Sequence, residues 1–536
     1  MPTTAISTCA ERRRAWLGVS ALVLLSCHPR AAETSGFAAP ALAPETASRS
    51  GDFQRYDWLA SGVLDGSAYN EQGRDVAFDA DGNIVIVGGT TSKDFPTTPG
   101  AFDTTYGGGG GPDSTGSGGE MDAFVSKVSR DGKLIWSTYL GGRNYDRAYA
   151  VEIGPEGDVF VAGRAGDGFP TTPGVVQPRF GGDDDQNELY GKQDGFVARI
   201  SADGSRLLWA SYFGGAGKGF IRDLDVDQAG NVYVGLSGES RALGAAPEQQ
   251  GPRSAPRGHD GYYGKLSADG KRLLFGTFYG GSDGQQDAFN PSVRVTDDGH
   301  VFVVAYTDAT DVDCITPQAY QRTNAGGTDL LLMHFDPQNR LVSCTYVGGS
   351  HDDYMETHGL AVDAAHNAVI VGGTLSRDFP TTRGVVQPEA AHDDRNGFVV
   401  VIAPDGSRLL AGTYLGRELE GVQVAPGGDI VFSGSSEGLE PLTPSALRRE
   451  RGARDALIGR VSSDLTRLQF LSYFGGSGKD ELRSVDVRPN GEVAYVGQTE
   501  SLDFAFKSAV KPTLGPDEPG RSQAPSYLIL APVLRP

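Results

Sequence analysis

The sequence predicts an all-β fold, a closed ring of seven four-stranded antiparallel sheets, and three observations carry that prediction. A stretch that begins DAFVSKVSRDGKLIWSTYLGG at Asp122 returns along the chain at intervals of roughly 60–76 residues, the mark of a repeat architecture. Every return is a pair of short apolar runs about a tight turn, and a second pair of the same kind lies between returns. This second pair has seven copies, whereas the first has six complete ones; the missing copy is split between the two ends of the chain.

The elements follow in order from the amino end. Arg12, Arg13 and Arg14 precede an apolar run from Ala15 to Leu25, too short to span a bilayer, so residues 1–27 read as an export signal. Leu24-Leu25-Ser26-Cys27 is similar to the bacterial lipoprotein signal, which makes Cys27 the expected lipidation site; a plain secretory signal is the alternative, because Leu25 departs from the usual small residue. Residues 28–52, rich in Ala, Pro, Ser, Thr and Glu, are expected to be a flexible tether. Residues 53–536 then form one repeated domain.

The seven-copy hairpin is represented by RDVAFDADGNIVIVGGTT from Arg74, AVEIGPEGDVFVAG from Ala150 and GLAVDAAHNAVIVGGT from Gly359, with others at Leu224, Val293, Val422 and Val485. The six-copy hairpin recurs at Asp194, Asp260, Asp329, Gly397 and Asp455. Asp-Gly between β-branched or aromatic runs is a hairpin signal, because glycine takes positive φ without a Cβ clash. Linkers such as DFPTTPGAF at Asp94, GFPTTPGVVQP at Gly168 and DFPTTRGVVQP at Asp378 supply an apolar anchor and a stiff turn. The column Tyr139, Tyr212, Phe278, Tyr346, Tyr414 and Tyr473 keeps the strand period and is expected to pack between sheets. Finally, SYLILAPVL from Ser526 matches the first strand of the six-copy hairpin and WLASGVLDG from Trp58 its second. A ring whose last blade is closed by the N-terminal strand explains the split, and radial repetition leaves only short protected edges. The fold class is therefore a single seven-bladed β-propeller.

The tandem DAFVSK…LIWSTYLGG…AVEIGPEGDVFVAG…FPTTPG resembles the SBBP-repeat β-propeller family of bacterial exported and surface proteins, over nearly all the chain after the tether. The resemblance implies the fold; it implies no shared reaction and no catalytic residues.

A formal charge of −21 and a pI near 4.8 argue against nucleic acid as a partner, since such binding needs a basic stripe. Of four cysteines, Cys314 and Cys344 remain in the fourth repeat, Cys344 in the place of Ser137 and Cys314 in the place of Phe95. In an exported protein they are expected to form a disulfide, with two buried thiols as the alternative. Asp79-Ala80-Asp81-Gly82-Asn83 carries acids but lacks the spacing and distal Glu of a calcium loop, and reads as a hairpin turn.

Candidate binding residues lie in the insertions: Tyr106 beside the glycine-rich loop, and Asp183, Asp184, Asp185 and Tyr190 in the acidic one. Hairpin turns and insertions are expected on opposite faces, with the insertion face used for recognition. A divalent metal could be held in the fifth repeat by His351, Asp352, Asp353, His392 and Asp393, against a reading of all five as solvated surface; His358, nearby, could face the central channel instead. Otherwise no cofactor is expected. The function read from these features is a surface-anchored scaffold, exported as an outer-membrane or cell-surface lipoprotein with the periplasmic side open. It would bind an envelope protein or glycan as a monomer, touch the membrane through its lipid alone, and carry no intrinsic catalysis. The alternatives are a propeller-fold hydrolase or lyase acting on extracellular polysaccharide, and a structural envelope component.

Overall fold

The computed structural model describes residues 57–64, 66, 71–108, 121–182, 191–215, 219–238, 247–257, 260–284, 289–438, 440–501, 503 and 527–535, all within the unit Asp52–Pro536. Cys27, the 28–52 tether, Asp183, Asp184, Asp185 and Tyr190 lie outside these residues. Among the described residues the regular elements are strands, gathered into seven sheets.

Blade 1 comprises Gln72–Phe78, Ile84–Thr90, Asp122–Val128 and Leu134–Leu140, each strand antiparallel to the one before. Blade 2 repeats this from Asp146–Ile153 to Leu207–Tyr212, blade 4 from Phe289–Val295 to Leu341–Val347, and blade 6 from Glu418–Val424 to Leu468–Phe474. Blade 3, from Gly219–Val226 to Leu273–Tyr279, gains a short parallel strand, Gln249–Gln250, on its outer edge. In blade 5 the innermost strand is broken into Asp353–Tyr354 and Leu360–Val362. Blade 7 runs Asp480–Val487, Val493–Thr499, Tyr527–Arg535 and then Asp57–Leu64, so the strand nearest the amino end is its outermost member. The first strand of every blade touches the first strand of the next, and that of blade 7 touches that of blade 1, which closes the ring.

Middle strands such as Ala368–Thr374 and Asn396–Ile402 are buried along their whole length, because both faces of a blade are covered by neighbours. The apolar clusters accordingly mix residues of adjacent blades, as where Val85 and Val125 meet Val161 and Phe196. The hairpin turns behave as their sequences predict. Gly82 holds φ +84° and donates to the Asp79 carbonyl at 3.0 Å, while the Asp79 carboxylate receives Asn83 N at 2.7 Å. On the same face, Trp136 of blade 1 donates from Nε1 to Ala202 O of blade 2 at 3.0 Å and lies against Gly204, where a Cβ would meet Cδ2 at 2.4 Å.

Buried aspartates latch the opposite face. Asp122 receives Gly107 N at 2.7 Å from the insertion of its own blade, and Asp146 receives Gly142 N at 2.6 Å from the crossover. The two flank Gly141, where a Cβ would meet Asp122 Oδ1 at 2.8 Å and Asp146 Oδ2 at 3.0 Å. The pair recurs as Asp329 and Asp353 around Gly348, and as Asp455 and Asp480 around Gly475. Burial pushes Asp122, Asp329 and Asp353 each up to about 7.

The tyrosine column lies in these inter-blade clusters and does more. Tyr139, Tyr212 and Tyr414 donate to Ser92 O, Gly166 O and Ser376 O, and accept Phe95 N, Phe169 N and Phe379 N, pinning the linker anchor within each blade. In blade 4 a disulfide joins Cys314 and Cys344, whose Cα atoms are 5.7 Å apart. Cys344 stands at the Ser137 position: each of their carbonyls receives the N–H of a linker threonine, Thr316 and Thr98 respectively. Cys314 does not take the place of Phe95. Val312 does, with its backbone bonded to the Tyr346 hydroxyl, and the linker after it is one residue longer.

Candidate functional site

In five of the seven blades the ring places one bulged residue at the central channel; in blade 4 the slip, between Phe289 and Ser292, passes over two, Asn290 and Pro291. In the first strand of a blade the pairing register slips once, at Gly73/Asp75, Ala148/Ala150, Ile221/Asp223, Leu419/Gly421 and Leu482/Ser484. The residues passed over are Arg74, Tyr149, Arg222, Glu420 and Arg483. Bulges re-aim side chains, and here they do so toward the axis. In blade 5 the slip becomes a gap, residues 355–359, and His358 enters the channel, where it is 5% exposed. Its Nε2 donates to Tyr149 O of blade 2 across the ring at 3.0 Å, and its Nδ1 lies 3.7 Å from Asp75 and 3.6 Å from Asp223.

Those two aspartates also knit neighbouring blades. Asp75 receives Val151 N at 2.8 Å and Ser484 Oγ at 2.6 Å. Asp223 receives Val293 N at 3.0 Å, Ser292 Oγ at 2.9 Å and Arg294 Nη1 at 2.7 Å. Toward the turn face the channel is acidic. Burial raises Glu152 well above, and Asp225 to about 6, and Arg294 faces both.

Toward the crossover face the two halves of the wall differ. On the side of blades 5–7 the cations are paired: Arg483 with Glu420 at 2.7 Å and Glu481 at 2.6 Å, Arg395 with Glu418 at 2.8 Å, Arg417 with Asp394 at 2.7 Å. On the side of blades 1–3, four guanidiniums surround the Tyr149 ring, with Arg74 at 5.6 Å, Arg147 at 5.1 Å, Arg164 at 5.5 Å and Arg222 at 4.8 Å. Burial would raise the Tyr149 phenol, yet Arg164, Arg222 and Arg74 bring it below its ordinary value. Among the described residues, Arg74, Arg147 and Arg222 have no carboxylate within 4.0 Å. Arg147 Nε and Nη2, Arg74 Nε and Arg222 Nε are buried without a protein hydrogen-bond partner.

The fifth-blade residues singled out in the sequence do not converge. Asp353 is one of the recurring latches, bonded to Gly349 N at 2.6 Å and to Ser376 Oγ at 3.2 Å. Asp352 receives Thr328 N at 3.1 Å, and Asp393 pairs with Arg377. His351 is exposed beside Ser350, 2.9 Å from Nδ1, whereas His392 is buried under a loop tied to Asn396. Each carboxylate already has a partner of its own, Asp352 in blade 4 and the other two within blade 5. Tyr106 is also committed, its ring edge-on to Tyr139 at 5.7 Å.

Imidazoles do gather on the turn face, between blades 4 and 5. The ligand atoms of Asp298, His300 and His366 lie within 4.8 Å of one another, with His366 Nε2 3.3 Å from Asp298 Oδ1. His334 stands behind, stacked on Phe302 at 4.2 Å, and burial holds it below its usual range, at about 4. Its Nδ1–H donates to Pro404 O of blade 5 at 2.7 Å, and its Nε2 is 2.8 Å from His300 Nδ1. The three histidines come from two repeats, His300 and His334 from the fourth and His366 from the fifth, so no single repeat displays the cluster.

No protein-family model matches the chain, and no curated protein does. Two solved structures are similar in part. A protein of unknown function from Dyadobacter fermentans DSM 18053 is 12% identical, covering 90% of this chain and 99% of its own, with a TM-score of 0.38. The quinohemoprotein alcohol dehydrogenase of Comamonas testosteroni is 8% identical, covering 89% of this chain and 76% of its own, with a TM-score of 0.39. Neither likeness assigns a family.

Proposed function

We infer that the protein is a non-catalytic binding scaffold of the cell envelope, related to the SBBP-repeat propellers, that takes an anionic group of an acidic envelope glycan at the crossover mouth of its channel. One observation carries the reading: guanidinium N–H groups of Arg74, Arg147 and Arg222 are buried around Tyr149 without a hydrogen-bond partner and, among the described residues, with no carboxylate in ion-pair contact, Glu356 acting on Arg74 only from farther off, in a chain of net charge −21. Unpaired buried donors are costly, and a carboxylate or sulfate ester satisfies several at once through bidentate contacts. A rigid ring with its charges fixed before binding loses little entropy on association.

The test is a glycan array of uronate-bearing, sulfated and neutral polysaccharides, probed with the mature chain and with an Arg147→Gln/Arg222→Gln variant. Binding to acidic members that weakens with salt and drops at least about tenfold in the variant supports the reading. Binding to neutral members alone, or equal binding by the variant, overturns it.

A further inference from the structure

We propose that Asp298, His300 and His366 form a binding site for a divalent transition metal of the zinc class, tying blade 4 to blade 5 on the turn face, with His334 as a positioning residue behind His300. The argument starts from what the other blades place there. The third-strand position of His334 is Lys127, Arg199, Lys265 and Arg460 in blades 1, 2, 3 and 6. Each of those cations pairs with an acid at its own blade's first turn: Asp79 at 2.7 Å, Asp158 at 2.5 Å, Asp227 at 3.4 Å and Asp429 at 2.8 Å. In blade 4 this ion pair is replaced by a pair of imidazoles, His334 and His300.

The third histidine departs from the repeat more sharply. His366 occupies the left-handed turn position that is Gly82, Gly157, Gly230, Gly299, Gly428 and Gly491 in the other blades, and it holds φ +62° there. A residue with a Cβ is disfavoured in that region by roughly 1–2 kcal/mol, and strain of this kind collects at ligand sites. The imidazole thus placed points across the blade boundary to Asp298 and lies 4.8 Å, ring to ring, from His300.

The chemistry of the donor set names the ion. Two imidazoles and one carboxylate suit zinc, copper, nickel or cobalt, whereas calcium and magnesium want oxygen. Ligands at about 2.0–2.2 Å from a tetrahedral ion stand about 3.3 Å apart, the spacing His366 and Asp298 already have. His334 fixes the rest. Its Nδ1–H is spent on the Pro404 carbonyl, so its Nε2 accepts from His300 Nδ1–H and leaves the lone pair on His300 Nε2. Asp298 is exposed, which leaves a fourth position open to solvent.

The experiment uses tag-free, chelator-washed full chain titrated with Zn²⁺, followed by calorimetry and by the rise in melting temperature. The discriminating variant is His366→Gly, which restores the residue six sister turns carry and so should leave the metal-free protein at least as stable as the parent. One Zn²⁺ per chain in the parent is expected. His366→Gly should lose more than the roughly 10–100-fold in affinity that an outer partner is worth, and should show no Zn²⁺-induced stabilisation. His334→Gln should bind more weakly by about that factor while keeping the Co²⁺ absorption spectrum of the parent, since its ligands are unchanged. A His351→Ala/His392→Ala variant should bind as the parent does. No stoichiometric ion in the parent, undiminished binding by His366→Gly, or loss of binding in the His351/His392 variant overturns the proposal.

Discussion

The Asp329–Asp353 pair around Gly348 makes stability fall as pH rises, against the usual behaviour of carboxylates. Both groups are fully buried, Asp329 Oδ1 and Asp353 Oδ1 find no hydrogen-bond partner, and burial sets each at about 7 where an ordinary aspartate has 3.8. Between those values the folded chain holds a proton that the unfolded chain has released. Stability therefore declines with pH, from its full value below pH 3.8 to its loss above pH 7. The displacement is about 3 pH units, or about 4 kcal/mol at 1.36 kcal/mol per unit, with the coupled pair counted as one proton. About 2–3 kcal/mol of that falls between pH 5 and 7. Urea unfolding of the parent and of an Asp329→Asn/Asp353→Asn variant at pH 5, 6, 7 and 8 isolates the pair. The amides carry no charge at any of these values, so the variant should show a shallower decline by that amount. Asp225, Asp480 and Glu420, raised to about 6, 6 and 8, keep some decline in both proteins. A parent that gains stability from pH 5 to 8, or a variant with an unchanged slope, would refute the reasoning.

Three further outcomes are expected. Asp223→Ala leaves Arg294 facing a buried site without its nearest counter-charge and should cost about 3–5 kcal/mol in denaturant unfolding, with a loss under 1 kcal/mol counting against the inter-blade staple. Gly204→Ala, at φ +71° with a Cβ 2.4 Å from the Trp136 indole, should cost about 1 kcal/mol more than Gly174→Ala, where φ is +82° and the space is open; calorimetric melting of the two compares them. Deleting 526–536 removes the strand between Val493–Thr499 and Asp57–Leu64 and should lower the melting temperature by well over 10 °C, a shift of a degree or two refuting the closure.

The parts of the fold legible in the sequence are those with a local cause. Asp-Gly turns between β-branched runs set the hairpins, and the orphan strands at Trp58 and Ser526 demand each other once the repeat is counted. The channel was not legible, because the residue facing it is chosen by a bulge. Arg74, Tyr149, Arg222, His358, Glu420 and Arg483 share a position only after the register slip is known, and period-two alternation does not reveal a slip. The histidine cluster was hidden for another reason. His300, His334 and His366 come from two repeats, and proximity across a blade boundary is a property of the ring. A signal did exist in His366, the one turn of seven without its glycine. In the fifth blade, by contrast, neighbours in sequence misled: Asp353 looks like a ligand beside His351, yet it is the same latch as Asp146 and Asp480.

The order of strands in blade 7 also bears on how the chain is made. A ribosome delivers Asp57–Leu64 before any other strand of the ring and Tyr527–Arg535 after every other, yet these two pair directly. Until the final segment emerges, six sheets can be complete while the seventh lacks its third member. Val493–Thr499 then offers a bare edge, and the first-made strand has no partner at all. Closure of the ring therefore waits, at a single seam, on the last of its strands to be made. The seam is where a nascent chain is open to strand exchange with a second copy, and where a chaperone gains the most by waiting.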